Sequence, residues 1–197
     1  MDNNKTAQLY NQRFLDHGND IKTVGWGSKK DQFLRFDILF RNINPVGKSI
    51  LDVGCGLGDC IKYLDKKTDG NYEYTGIDIA EKLIFEAKKN HLSKNRNFYN
   101  SDIFSIQSSF DIVIMSGALS HKSDGIENYT LKSLKKMFDI SNELVSANFL
   151  SKYVDYELEK NQHYFPEDIF KESKKYCKNI NLISDYPLYE FTIQLKK

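Results

Sequence analysis

The chain has little of what builds secreted scaffolds, metal clusters or membrane spans. Its three cysteines, Cys55, Cys60 and Cys177, are odd in number and have no repeating spacing, which argues against a disulfide framework. Those cysteines and four scattered histidines do not provide a zinc set, so no metal is expected. No apolar run approaches the roughly 20 residues that span a bilayer. The opening Met1-Asp2-Asn3-Asn4-Lys5 lacks the apolar core of a signal peptide. These absences predict a cytoplasmic protein with reduced thiols and no membrane partner. Charge of one sign is also missing. The 28 basic and 27 acidic side chains leave a net charge of +1, too balanced for the broad basic field that holds a phosphate backbone. A nucleic-acid partner is therefore disfavoured.

What is present fits one globular domain. The chain has 197 residues, of which 40% are hydrophobic, enough to bury a substantial core. Short β-branched runs alternate with longer amphipathic stretches, which predicts an α/β domain with a mostly parallel sheet of about seven strands. Helices are expected over 2–17, 30–43, about 58–68, about 81–90 and about 127–140, and one opening at Pro166-Glu167. Strands are expected at 49–53, 72–77, 97–100, 110–115 and 143–149. Two closing strands, 181–184 and 188–195, are near enough in sequence to pair antiparallel.

The first expected strand runs into Asp52-Val53-Gly54-Cys55-Gly56-Leu57-Gly58, and a helix follows. A strand, a glycine turn and a helix make the nucleotide cradle of doubly wound sheets. Asp78 ends the second strand about 20 residues later, where a carboxylate can accept from ribose hydroxyls. Two readings compete. A nicotinamide dehydrogenase spaces its glycines G-x-G-x-x-G, whereas here they fall at 54, 56 and 58, with Asp59 in the third position. A pyrophosphate would meet that negative charge. A ligand without phosphates, such as S-adenosylmethionine, suits the loop better.

Four segments in order now resemble one family. Leu51–Gly58, Tyr74–Ile79, Ser101-Asp102-Ile103 and Phe110–Ser116 are similar to the four motifs of class I S-adenosylmethionine-dependent methyltransferases. The resemblance implies a Rossmann-like doubly wound sheet, mostly parallel with an antiparallel C-terminal strand and helices on both faces. It implies S-adenosylmethionine as cofactor and S-adenosylhomocysteine as product. It divides the chain into an N-terminal helical cap (1–44), a cofactor-binding core (45–150) and a substrate-side connection with closing strands (151–197). Asp52 and the backbone of Gly54, Cys55, Gly56 and Gly58 would form the cofactor loop. Asp78 would hold the ribose, with Ile79 on the adenine face. Asp102 would accept from the adenine amino group beside Ile103, and Ser116 and Gly117 would border the methyl group. Plainer readings stand beside these: helix capping for Asp78 and Asp102, and core packing for Ile79 and Ile103. Trp26, in Gly25-Trp26-Gly27-Ser28, would close over the methionine end or anchor the N-terminal helices. That segment and Asn148–Ser151 also resemble segments of small methyltransferase-like proteins.

Acceptor choice follows by elimination. After the fourth strand the chain reads Ser116-Gly117-Ala118-Leu119, unlike the Asn/Asp-Pro-Pro-Tyr/Phe motif of many nitrogen-directed enzymes. No extra domain or basic face suggests a macromolecular substrate. The expectation is O-methylation of a small molecule by a monomer or homodimer, with His121 as general base. Tyr10, Arg35, Tyr153, His163 and Tyr164 are the expected substrate contacts. A non-catalytic S-adenosylmethionine-binding module is the alternative.

Overall fold

In the computed structural model, which describes residues 2–25 and 27–197, seven strands form one sheet in the order β3-β2-β1-β4-β5-β7-β6. These are β1 Ser49–Val53, β2 Glu73–Asp78, β3 Arg96–Asn100, β4 Phe110–Ser116, β5 Ser141–Leu150, β6 Asn179–Ile183 and β7 Glu190–Lys196. The first five run parallel, and β7 is antiparallel to both β5 and β6. Both the Rossmann-like sheet and its antiparallel closing pair therefore follow the sequence expectation. Trp26 lies outside the described residues.

Among the described residues two helices precede the first strand, α1 Asn3–His17 and α2 Lys29–Leu39, and four lie between strands, α3 Cys60–Thr68, α4 Glu81–His91, α5 Ile126–Ile140 and α6 Pro166–Ser173. Local chemistry sets several of their ends. The Asp2 carboxylate accepts from the backbone N–H groups of Asn4 and Lys5 and starts α1, and Ser28 Oγ accepts from Asp31 N at 3.1 Å to start α2. α2 stops at Leu39 rather than at 43. Asn42 takes φ 60° and Pro45 follows closely, which closes the helical region to the residues between.

Alternation along the central strands divides the core in two. Leu51, Val53, Val113 and Met115 face α5 and α6, while Ile50, Ile112 and Ile114 face α2, α3 and α4. The period of two puts successive side chains on opposite faces, and burying each of these stabilises the fold by about 1.5–3 kcal/mol. α1 and the segment after it lie across α4, where Tyr10, Phe14 and Val24 cover Leu57, Ala80 and Leu83. Among the described residues no helix is long and apolar enough to cross a membrane.

Candidate functional site

The C-terminal ends of the parallel strands share one edge of the sheet, where ligands bind in open α/β folds. A cavity opens there. Asp52–Gly56 line it from β1, Asp78 and Ile79 from the end of β2, and Asp102 and Ile103 from the chain after β3. Met115–Leu119 complete the floor at the end of β4, and Thr6 and Tyr10 of α1 lie across the top.

The loop after β1 is bent by its glycines and fixed to β2. Gly54 N and Cys55 N donate to Ile77 O at 2.8 and 3.0 Å. Gly54 takes φ +73° and Gly56 φ +55°, both in the left-handed region that favours glycine. There is no room for a side chain at either: a Cβ would sit 2.3 Å from Ala118 Cβ at Gly54 and 2.8 Å from Val24 Cγ1 at Gly56. Cys55 lends its backbone to the cavity, while its Sγ packs beside Gly76 in the core. Gly58 lies outside the cavity lining, facing His91 and Phe98.

Asp78 ties this loop to the next strand. Its Oδ2 accepts from Gly56 N at 3.0 Å and its Oδ1 from Ala80 N at 2.8 Å. Burial raises the Asp78 pKa, and the backbone donors of Ala80, Gly56 and Ile79 oppose the rise. Asp102 has two tasks. Its Oδ1 caps a short 3-10 turn through Phe104 N and Ser105 N, as the capping reading expects, and its Oδ2 accepts from Asn3 Nδ2 of α1 at 3.0 Å. Asn3 Oδ1 is buried without a partner.

Asp52 is 3% exposed, with Oδ2 accepting from Tyr74 Oη at 2.8 Å and Oδ1 unpartnered. Burial pushes its pKa up to about 7, with Asp78 and Asp59 adding to the rise and Tyr74 opposing it. Its folded value therefore lies above the unfolded one. As pH rises from about 4 to about 7, the unfolded chain ionises first and stability falls. Asp52→Asn should remove this component of the slope, as read by urea unfolding across that range. An unchanged slope would show that Asp52 ionises freely in the fold.

Two further buried oxygens on the cavity, Ser116 Oγ and Ser133 Oγ, have no partner either. Among the described residues four carboxylates (Asp52, Asp59, Asp78 and Asp102) line the cavity, and no lysine, arginine or histidine does. This set of acceptors suits a ligand that brings positive charge and hydrogen-bond donors. A pyrophosphate would be repelled by these carboxylates with no cation to offset them.

Tyr10 and Val24 also line a second space, a cleft that includes Ser120 and His121. His121 is half-buried and paired by a β-bridge to Asn161. Its pKa is lowered by burial and then by Arg13, so the neutral ring persists at neutral pH.

Four residues expected at the acceptor lie elsewhere. Arg35 is buried and donates from Nε to both carboxylate oxygens of Glu190, at 2.8 and 2.7 Å. Glu190 Oε2 also accepts from Asn148 Nδ2 at 2.8 Å, and Asn148 Oδ1 accepts from Gly117 N at 2.8 Å. Arg35 thus acts through Glu190 and Asn148 on the cavity mouth. Tyr164 is buried, with its hydroxyl 2.8 Å from Thr130 Oγ1 and donating to Leu119 O at 3.0 Å. His163 is buried with Nδ1 2.6 Å from Ser151 O. Tyr153 is exposed and donates to Glu167 Oε1 at 2.5 Å beside a separate surface depression. Aromatic and histidine content marked the 151–165 segment, but its buried face serves the core.

Other cavity residues carried no signal in the sequence. Thr6, Tyr129 and Ser133 reach it from α1 and α5, and Gln32 reaches it from α2, where its Nε2 donates to Asp59 Oδ2 at 3.2 Å.

Residues 45–192 match the family described as a methyltransferase domain. A Mycobacterium tuberculosis protein provisionally named a methyltransferase is 29% identical over 164 residues, which is 76% of this chain and 93% of that protein. The tRNA U34 carboxymethyltransferase of Campylobacter concisus is also 29% identical, over 123 residues; the match covers 59% of this chain and 41% of that enzyme. Among solved structures, the magnesium protoporphyrin IX methyltransferase of Synechocystis PCC 6803 with bound S-adenosylmethionine superposes with a TM-score of 0.72. It covers all of this chain and 97% of that one at 16% identity, a likeness of fold.

Proposed function

The chain belongs to the methyltransferase-domain family, whose class I members use S-adenosylmethionine, and on that premise we propose that it transfers a methyl group to an oxygen of a small-molecule acceptor. The observation that carries the cofactor side is the cavity at the glycine loop, with four carboxylates and no basic side chain in its lining. When bound, S-adenosylmethionine supplies an electrophilic methyl group on a sulfonium and leaves as S-adenosylhomocysteine.

The residues divide the work as follows. The backbone of Gly54–Gly56 and the Asp52 carboxyl receive the amino-acid end. Asp78 accepts from the ribose hydroxyls, and Ile79 and Ile103 cover the adenine faces. Asp102 accepts from the adenine edge, in place of its present donor Asn3. Ser116 and Gly117 line the cavity at the end of β4 and border the transferred methyl. Alignment of two reactants away from water supplies about 7–11 kcal/mol of barrier lowering. α1 and Val24 after it form the cap that excludes water, and Tyr10 faces the acceptor.

His121 accepts the acceptor's hydroxyl proton onto its neutral ring. His121→Ala should lower kcat about 10²–10⁴-fold while leaving S-adenosylhomocysteine affinity unchanged. The acid limb of the wild-type rate should fall below the ordinary histidine value of about 6.5, because the ring's pKa is lowered. An unchanged turnover in the variant would remove His121 from the chemistry and favour an acceptor atom that needs no base.

Calorimetry with S-adenosylmethionine, S-adenosylhomocysteine and NAD tests the cofactor side. Binding of NAD alone would overturn it. The cysteines described are all free and buried, which supports a reducing, cytoplasmic setting.

A further inference from the structure

The cleft beside the cofactor cavity carries charge that proton transfer does not use. Arg13 and His17 from α1, Lys22 from the turn after it, His121, and Lys160 from the 151–165 segment all line it, and among the described residues no carboxylate does. This reverses the neighbouring cavity, which has carboxylates and no cation. Some cations on this molecule sit against a carboxylate, as Lys48 does on Glu143, Arg96 on Asp65 and Lys152 on Glu157. Among the described residues, Arg13, Lys22 and Lys160 form no ion pair.

Arg13 is also held in position. It is half-buried, its guanidinium carbon lies 5.2 Å from the centre of the Tyr10 ring, and its Nη1 lies 3.1 Å from where a Cβ on Gly25 would be. A side chain on residue 25 would crowd it. A cation–π contact restrains the guanidinium over the ring, and its fork of donors matches the oxygens of a phosphoryl group. The field is felt across the cleft. Burial lowers the His121 pKa first and the Arg13 charge lowers it next; a backbone hydrogen bond with Lys160 opposes them, and the Lys160 charge adds a smaller lowering.

We propose that this cleft is an anion subsite that holds a phosphoryl dianion on the methyl acceptor, with Arg13 as its anchor and Lys22 and Lys160 as flanking charges. The assignment of that anion to an acceptor rests on the methyl-transfer reading of the adjoining cavity, which the cleft meets at Tyr10 and Val24. Three unopposed formal charges match a dianion better than a single carboxylate. This cluster occupies one cleft on a chain of net charge +1, so it suits a small phosphorylated molecule better than the extended backbone of a nucleic acid.

Inorganic phosphate is the probe. It would be titrated calorimetrically at about pH 7.5, where the dianion dominates, and at low ionic strength, where screening is weak. The proteins are the wild type, Arg13→Gln and the double variant Lys22→Gln/Lys160→Gln. Acetate, a short mixed-sequence RNA and S-adenosylhomocysteine are titrated in parallel. Wild type should bind phosphate more tightly than acetate. Arg13→Gln should weaken phosphate roughly tenfold or more, and the double variant should weaken it several-fold, both with unchanged S-adenosylhomocysteine affinity. The two lysines are exposed, so the double variant tests the subsite even if Arg13→Gln disturbs folding. The proposal is overturned if phosphate does not bind the wild type or binds all three proteins equally. It is also overturned if acetate matches phosphate, or if RNA binds more tightly through the same side chains. Phosphate binding without S-adenosylhomocysteine binding would leave the anion site standing and remove the methyl-transfer reading.

Discussion

Asp78→Ala should weaken S-adenosylhomocysteine binding by roughly 10–100-fold, the value of a charged hydrogen bond to the ligand, and should destabilise the protein as well. The two effects have separate origins. The affinity loss comes from the ribose hydroxyls. The stability loss comes from Gly56 N and Ala80 N, which both donate to this carboxylate. Leaving two buried N–H groups unpaired costs about 2–6 kcal/mol in all. Asp78→Asn should rescue little, because its amide NH₂ replaces an acceptor with a donor facing backbone donors. Calorimetry and urea unfolding of both variants decide the matter. Wild-type stability in Asp78→Ala would mean the loop does not depend on this carboxylate, and wild-type affinity would take the ribose role from it.

Gly54→Ala should be comparably severe, for steric reasons. Residue 54 takes φ +73°, where a side chain costs about 1–3 kcal/mol. The new methyl would also lie 2.3 Å from Ala118 Cβ, and relieving such a clash costs a further ~1–3 kcal/mol. Relief would push apart β1 and the chain after β4, the two sides between which the cofactor cavity opens. The expected result is a lower melting temperature and loss of measurable S-adenosylhomocysteine binding. Adding Ala118→Gly should restore part of both, since it removes the clash and leaves the backbone strain. A Gly54→Ala protein that melts and binds like wild type would show that the loop can move aside.

Much of this was legible in the sequence, and the reasons differ by element. Strands β1 and β4 are short, apolar and alternate between two buried faces, so their pattern specified both position and orientation. The cofactor loop was legible because its glycines answer to backbone geometry, which a sequence records directly. Arg35 and Tyr164 were not. An arginine facing solvent or ligand and one buried against Glu190, 155 residues away, look the same in a single sequence. The aromatic 151–165 segment misled for a related reason, since an aromatic ring signals burial without saying whether a ligand or the core covers it. Asn3 carried no signal at all, because its contacts with Asp102 and Tyr129 exist only after α1 folds across the sheet edge. The basic cleft was equally hidden. Its residues span positions 13 to 160, and in composition they disappear into a balanced total.

Glu190 makes the cavity mouth depend on a strand that contributes nothing to its walls. Every residue lining that cavity lies before position 134, yet Gly117 is held through Asn148 by a carboxylate on β7. A backbone nick at exposed Pro187 would leave the whole ligand-binding surface on one fragment and its clamp on the other. Fragment complementation would therefore behave as an on–off assembly, with a short β7 peptide restoring affinity at a site it never touches.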